Sequence, residues 1–382
     1  MLKSLVTLWV SCTLIFISLT ANAAVLPEDR TDILYHEYEG DGVQIAGPSI
    51  LVRKNFAEKV SVFGNYYVDQ VTGASIDVMS FGSPYTEERT QYSVGATYLY
   101  DKTLTSVSYT NSSENDYEAD TFTLDFSQDF FGDLSTLSLG FTYGENTVGR
   151  STDPEFEEYS DQFRYRIGLS QVITKNFLIS LNAETVIDEG FLNNPYRQVR
   201  FLNNDGSTST TSELYPNTRN SNSFAIRGIY YLPYRAAVRA DYRTFSDSFG
   251  IEAENIELRY IHPLKSVEGL TLELHFRTND QTQADFYSDL LPFENATNFF
   301  ARDKELSTFS SQQIGIGASY EIKASYGFVD KTSFNLFYDR ISFDYDNFRD
   351  ITANSNGQFA PGEEPLFSFD ANVIRLYVSF WY

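Results

Sequence analysis

The chain is poor in the residues that cross-link, chelate and catalyse: its 382 residues include 1 Cys, 2 Met, 2 Trp and 3 His. One cysteine excludes a disulfide scaffold, and it cannot build a thiolate metal site. Positive charge is also scarce, with 28 Lys+Arg against 52 Asp+Glu and a net charge of -24. That balance argues against nucleic acid as the main partner, because phosphate binding needs a concentrated basic surface. No linker rich in Pro, Gly or Ser divides the chain. Beyond the first 20 residues, no apolar run reaches the roughly 18 residues of a membrane helix. Aromatics, in contrast, are abundant. The 27 Tyr and 32 Phe rule out a disordered chain and require a surface that buries or anchors them.

Met1 to Thr20 carry one positive charge, Lys3, and an apolar run from Leu5 to Leu19, and Ala21-Asn22-Ala23 follows as a small-x-small cleavage site. This pattern predicts a secretory signal peptide over 1–23 and export of the chain from Ala24. A membrane anchor is disfavoured by the Ser and Thr interruptions and the abrupt stop. Cys12 is preceded by Trp9 where a lipoprotein signal needs a small or aliphatic residue. Cleavage after Ala23 leaves a cysteine-free chain that needs no oxidation to fold.

The rest alternates with period two. In Tyr92-Ser93-Val94-Gly95-Ala96-Thr97-Tyr98-Leu99-Tyr100 the even positions are apolar or aromatic and most odd ones are small or polar. Leu137, Leu139, Phe141 and Tyr143 repeat the pattern, as do Leu270, Leu272, Leu274 and Phe276. Each such run is a strand with one apolar and one wet face. About sixteen runs are present, over 31–39, 43–56, 60–71, 89–100, 103–111, 119–130, 134–144, 160–173, 177–187, 222–232, 235–245, 252–261, 270–278, 309–321, 331–343 and 366–382. Short turns such as Asp101-Lys102 and Pro233-Tyr234 alternate with long polar segments at 72–88, 145–159, 188–221, 279–308 and 344–365. The signs of charge separate in the same way. Lys54, Lys59, Lys102, Lys175, Lys265, Lys323 and Lys331 lie by the short connections. Acids crowd the other end at Glu114 to Asp120, at Asp153 to Asp161 and at Glu363-Glu364.

This rhythm predicts an all-β fold: a transmembrane, antiparallel, up-and-down β-barrel of about sixteen strands over 24–382, in the outer membrane of a Gram-negative cell. A periplasmic sandwich or propeller would explain the alternation but not the turn rhythm, the lysine segregation and the C-terminus together. The closing series Asn372, Ile374, Leu376, Val378, Phe380 and Tyr382 ends on an aromatic, so Phe380 and Tyr382 are the expected signal to the barrel assembly machinery. Outer-membrane lipid and lipopolysaccharide are the other expected partners.

If the apolar parity faces lipid, the other lines the lumen with Asp125, Arg164, Arg166, Arg227, Arg239, Asp241, Arg243, Glu257, Arg259, Glu273, His275, Arg277 and Glu321. Such a wall sets ion preference in a water-filled pore or pairs internally to stiffen a closed barrel. A sixteen-stranded barrel is too wide for its own side chains to fill, which favours the pore. An inward-folded loop would seal it, and 188–221 is the expected segment, because Phe191 to Arg197 and Leu214 to Arg219 are too apolar for a solvated loop.

Catalysis, cofactors and metals find little support. His36 sits in the first strand and His262 by a short connection. His275 stands between Glu273 and Arg277 as the histidine with evident charged partners. One histidine beside a carboxylate is not a nucleophile, base and orienting group at one site. The loop carboxylates match no calcium-loop spacing and read as a solvated acidic rim. The glycines of Gly315-Ile316-Gly317-Ala318-Ser319 alternate within a strand, so they are not a dinucleotide loop.

Leu26-Pro27-Glu28-Asp29-Arg30, the stretch Gly47 to Lys54, Asp188 to Arg197, Tyr231 to Ala237 and Ala284 to Asp289 together resemble a family of proteobacterial exported proteins, domain of unknown function 3570. The resemblance implies an outer-membrane barrel without an established activity and no catalytic residues to carry over. It also implies gene neighbours that include a small lipoprotein, a thioredoxin-like protein and a flavin transferase, hence an envelope redox setting. Two functions are therefore expected as alternatives: a channel or transport pore for small solutes with an arginine-rich lumen, or a non-conducting scaffold or export partner for periplasmic proteins.

Overall fold

The computed structural model describes residues 24–382 apart from 74, 77–79, 81–84, 324–326 and 355–356. The leader expected over 1–23 lies outside the described residues. The strands are β1 (Arg30–Gly40), β2 (Val43–Phe56), β3 (Val60–Gly73), β4 (Tyr85–Tyr100), β5 (Thr103–Ser113), β6 (Tyr117–Phe130), β7 (Ser135–Gly149), β8 (Glu157–Thr174), β9 (Phe177–Gly190), β10 (Gln198–Leu202), β11 (Thr208–Ser212), β12 (Thr218–Tyr231), β13 (Ala237–Asp247), β14 (Glu252–Pro263), β15 (Leu270–Gln281), β16 (Phe309–Ile322), β17 (Lys331–Arg349) and β18 (Leu366–Trp381). Among the described residues, all of these except β10 and β11 form one closed barrel of 16 antiparallel strands. Each strand pairs with its neighbour in sequence, save that β9 pairs with β12. The ring closes where β1 meets β18, from Arg30↔Trp381 to Gly40↔Ala371.

Closure leaves no unpaired sheet edge, the condition for a β structure in hydrocarbon. The parity read from the sequence is the parity of the wall. Val94, Ile167, Leu258, Leu274, Ile316, Leu336 and Leu376 point outward and are exposed, which makes a continuous apolar belt. Water would not tolerate a belt of this extent, and acyl chains cover it. Tyr98, Tyr100, Phe130, Phe131, Tyr230 and Tyr234 flank it at the short-turn end. His262 also faces outward there, its Nδ1 2.8 Å from the Tyr260 hydroxyl.

The strands outrun the hydrophobic alternation. β8 has 18 residues and β17 has 19, against the roughly ten that span a bilayer. Segments read as loops at 145–159 and 344–365 are therefore partly strand: Glu145 pairs with Asp161, Val148 with Glu158. The backbone ladder continues above the lipid, where polar side chains no longer report which face they are on. Some connections at the long-loop end are also tight. Asp41-Gly42 joins β1 to β2 with φ of 52° and 70°, the left-handed pair that suits a two-residue hairpin.

The parity makes a direct prediction. Leu274→Arg, on the outward row, should cost about 2–4 kcal/mol of folding stability in lipid, whereas Ser108→Arg, on the inward row, should change it by well under half of that. Urea titration of the barrel refolded in vesicles measures both.

Candidate functional site

The inward rows of β12 to β18 carry one connected charge network. Asp241 accepts from both Arg227 and Arg239, the latter at 2.6 Å. Arg239 lies 4.0 Å from Glu257, which also holds Arg259. Arg259 reaches Glu273 at 2.7 Å, and Glu273 is 3.9 Å from His275 Nδ1. His275 Nε2 is 2.6 Å from Asp339 Oδ1, and Arg375 is 2.7 Å from Asp339 Oδ2. Every expected lumen residue lies on the inward parity, but the wall is not uniform. Asp125 pairs with Arg166 at 2.9 Å, and Glu321 lies 3.6 Å from both Lys323 and Lys331 near the short turns. Among the described residues Arg164, Arg243 and Arg277 meet no carboxylate at ion-pair distance; Arg164 reaches only the Gln162 amide oxygen, at 3.4 Å.

Glycine makes the longer links possible. His275 and Asp339 sit on β15 and β17 with Gly315 of β16 between them in register. A Cβ on Gly315 would lie 2.0 Å from Asp339 Oδ1 and 2.2 Å from His275 Cε1. Gly140 does the same on β7, where a Cβ would lie 2.7 Å from Asp125 and 2.8 Å from Arg166. Of the alternating glycines in Gly315 to Ser319, Gly315 thus opens the path of an ion pair, whereas Gly317 makes room for the Phe337 ring.

His36 has an equivalent site, which corrects the expectation that His275 alone has charged partners. Its Nε2 is 2.7 Å from Asp69 Oδ1 and 3.0 Å from the Tyr67 hydroxyl, and Asp69 also binds Arg89. His36 is in register with Gly47 on one side and Arg375 on the other. Eight successive strands, β15 to β18 and then β1 to β4 across the closure, therefore present His275, Gly315, Asp339, Arg375, His36, Gly47, Asp69 and Arg89. Nothing in the local sequence pattern sets Asp339, Arg375, Asp69 and Arg89 apart. A glycine facing a histidine across a strand pair is the signal that marks them, and it requires the register.

The mouth at the long-loop end is covered. β10 and β11 form a hairpin inside the segment 191–217, which bridges to 282–308 through Phe201↔Leu291 and Leu214↔Phe300. Tyr215, Phe249, Ile251, Ala284, Tyr287, Ala301 and Leu306 pack on Tyr345 and Phe348, with Phe245, Phe309, Phe343 and Phe369 around them. Phe343 and Tyr345 continue the inward row of Asp339, so this apolar core sits within the barrel mouth. Ile76 joins it from beyond β3, and Lys304 binds Asp41 of the β1–β2 turn. The segment expected to fold inward does so, as one part of a lid built from several loops.

Buried ions lock the lid. Arg200 donates to both oxygens of Glu364, at 2.6 and 3.0 Å, and to Asp289 at 2.6 Å. Arg302 donates to Asp289 at 3.0 Å and to the Arg349 carbonyl at 2.6 Å, and its guanidinium lies 4.3 Å from the Phe348 ring centre. Glu364, read as part of a solvated acidic rim, is 2% exposed. Burial alone would raise its pKa, but the bonds from Arg200 and the Gly362 amide outweigh that and hold it below the ordinary carboxylate value. Burial and the neighbouring Glu213 push the Tyr215 hydroxyl well above its usual value.

Beneath the lid lie two cavities of about 680 and 340 Å³. Arg243, Arg277, Asn255 and Glu184 line both. A closed sixteen-stranded wall with an apolar exterior, a charged interior and a loop-covered mouth defines a membrane-spanning, porin-like barrel. The chain belongs to the family described as "Protein of unknown function (DUF3570)", whose model matches residues 76–334. No match is found among curated proteins. Solved structures similar to this chain include a bacterial polysaccharide outer membrane secretin (8% identity, TM-score 0.49, covering 94% of this chain and 100% of that one). The outer membrane protein OprD from Pseudomonas aeruginosa is another (10%, 0.40, 94% and 94%). OccK1 (OpdK) of Pseudomonas aeruginosa is a third (9%, 0.44, 94% and 99%).

The lid geometry predicts two outcomes. Arg200→Ala leaves Glu364 and Asp289 buried without their cation, which should cost the lid about 3–5 kcal/mol and open its loops to limited proteolysis while the barrel stays folded. Acid should act in the same direction. A carboxyl whose folded pKa is depressed stabilises above its ordinary value, and that contribution is lost as pH falls below it. Loop cleavage by an acid-active protease should therefore rise below about pH 4 and be nearly constant from pH 5 to 8.

Proposed function

We propose that this protein is exported through its leader 1–23, inserted into a Gram-negative outer membrane through an assembly signal at Phe380 and Tyr382, and passes small solutes through its charged lumen. The observation that carries the reading is the wall itself: an inward surface of hydrated polar and charged groups around open cavities, in a barrel too wide for side chains to fill. Lipid and lipopolysaccharide are its surroundings. Arg227, Arg239, Arg259 and Arg375 are held by carboxylates and give the wall a fixed shape, while Arg243 and Arg277 supply uncompensated positive charge. The lid then acts as the gate. No step of this reading requires catalysis or a cofactor.

A second reading has its own support in the lid, whose buried aromatic core and ion pairs are those of a stable structure. In that reading the barrel is a non-conducting scaffold or export partner for periplasmic proteins.

Planar bilayers separate the two. The pore reading expects discrete conductance steps, larger or more frequent in Arg200→Ala, and a reversal potential that moves toward cation selectivity when Arg239 and Arg243 are both changed to Glu. Silence from folded wild-type protein and from the lid-loosened variant alike would favour the scaffold.

A further inference from the structure

On the inward rows of β12 to β15, six arginines face four carboxylates: Arg219, Arg227, Arg239, Arg243, Arg259 and Arg277 against Asp241, Asp247, Glu257 and Glu273. The carboxylates are already engaged. Asp247 holds Arg219 at 2.6 Å. Asp241 holds Arg227 and Arg239, Glu257 holds Arg259 with Arg239 at 4.0 Å, and Glu273 holds Arg259. Arg243 stands in register with Ala225 and Asn255, neither of which carries a charge. Arg277 stands in register with Glu257, whose Oε1 is held by Arg259 and lies 4.0 Å from Arg239, and with Gln313. Both arginines are exposed to the lumen and line the same two cavities. They are two strands apart and offset by two residues along the sheet, or about 12 Å at the backbone, a gap their side chains span from either side. Asn255 and Asn279 supply uncharged hydrogen-bonding groups at the same cavity.

We propose that Arg243 and Arg277 form a binding site for small organic dicarboxylates in the lumen below the lid. A guanidinium presents paired donors that match a carboxylate, and these two are hydrated and unpaired, so an incoming anion displaces water and breaks no ion pair. A ligand with two carboxylates engages both arginines at once. Glu184 lines the same cavities from β9 and has no cation at ion-pair distance among the described residues, so it opposes a second negative charge and tunes the affinity. The proposal names a solute class for the lumen and so rests on the pore reading. The site itself is testable without conduction.

The experiment is calorimetric titration of the folded, full-length barrel in detergent with succinate at low salt, its folding checked by heat-modifiable gel mobility. Saturable binding is expected, weakening as salt is raised. Arg243→Gln and Arg277→Gln should each lower affinity by about tenfold or more. The corresponding Lys variants, which keep the charge and lose the fork, should fall between and serve if a Gln variant fails to fold. Glu184→Gln should tighten binding, acetate should bind more weakly than succinate, and uncharged succinamide should not bind. Absence of saturable binding, succinamide binding equal to succinate, or unchanged affinity in both arginine variants would overturn the site. Inorganic phosphate binding as tightly as succinate would overturn the dicarboxylate assignment. Binding by a barrel that is silent in bilayers removes the pore reading and keeps the site, whereas conductance without succinate binding does the reverse.

Discussion

Everything in this molecule depends on the rule that a backbone amide or carbonyl facing hydrocarbon must be hydrogen-bonded within the protein. For strands the rule is met by closing the sheet, which here means joining β1 to β18 along their length. Closure divides the side chains into two sets with no exchange between them. One set meets lipid and is apolar whatever the protein does. The other is shielded from lipid, and the barrel's particular chemistry resides there.

The inner wall solves an electrostatic problem with small residues. An ion pair between side chains two strands apart must cross the intervening strand, and any Cβ there would occupy its path. Gly315 and Gly140 remove that obstacle, so that His275 reaches Asp339 and Asp125 reaches Arg166. The resulting network is partly exposed to lumen water, which limits the worth of each pair but leaves the geometry defined. Because the acids on β13 to β15 are consumed by this network, the surplus arginines are placed by the fold and left to solvent.

The lid follows a different logic. Loops of this length are solvated unless something repays the ordering of the chain, and here an aromatic core does so at the mouth. The inward rows change character near the long-loop end, from Asp339 and Arg243 to Phe343, Tyr345 and Phe245, and the loops pack onto those rings. Arg200 and Arg302 satisfy carboxylates that would otherwise be buried alone. The lid is continuous with the barrel's inner surface, so access to the lumen from the long-loop end is subject to loop packing.

The sequence by itself determined the sixteen barrel strands, though not the β10–β11 hairpin of the lid, together with their parity and the distinction between the two ends, because each is written in residues a few positions apart. Alternation over ten residues reports a wall with two faces, and lysines beside short turns report which end is which. The ends of β7, β8 and β17 escaped it, since above the lipid the ladder is held by backbone bonds that do not depend on side-chain type. Only the tertiary structure decided which charges meet. His36 and Asp69 are 33 residues apart, Arg200 and Glu364 are 164 apart, and Lys304 and Asp41 are 263 apart. Such pairs depend on register across several strands and on loops meeting over the mouth, and a period-two pattern carries no information about either.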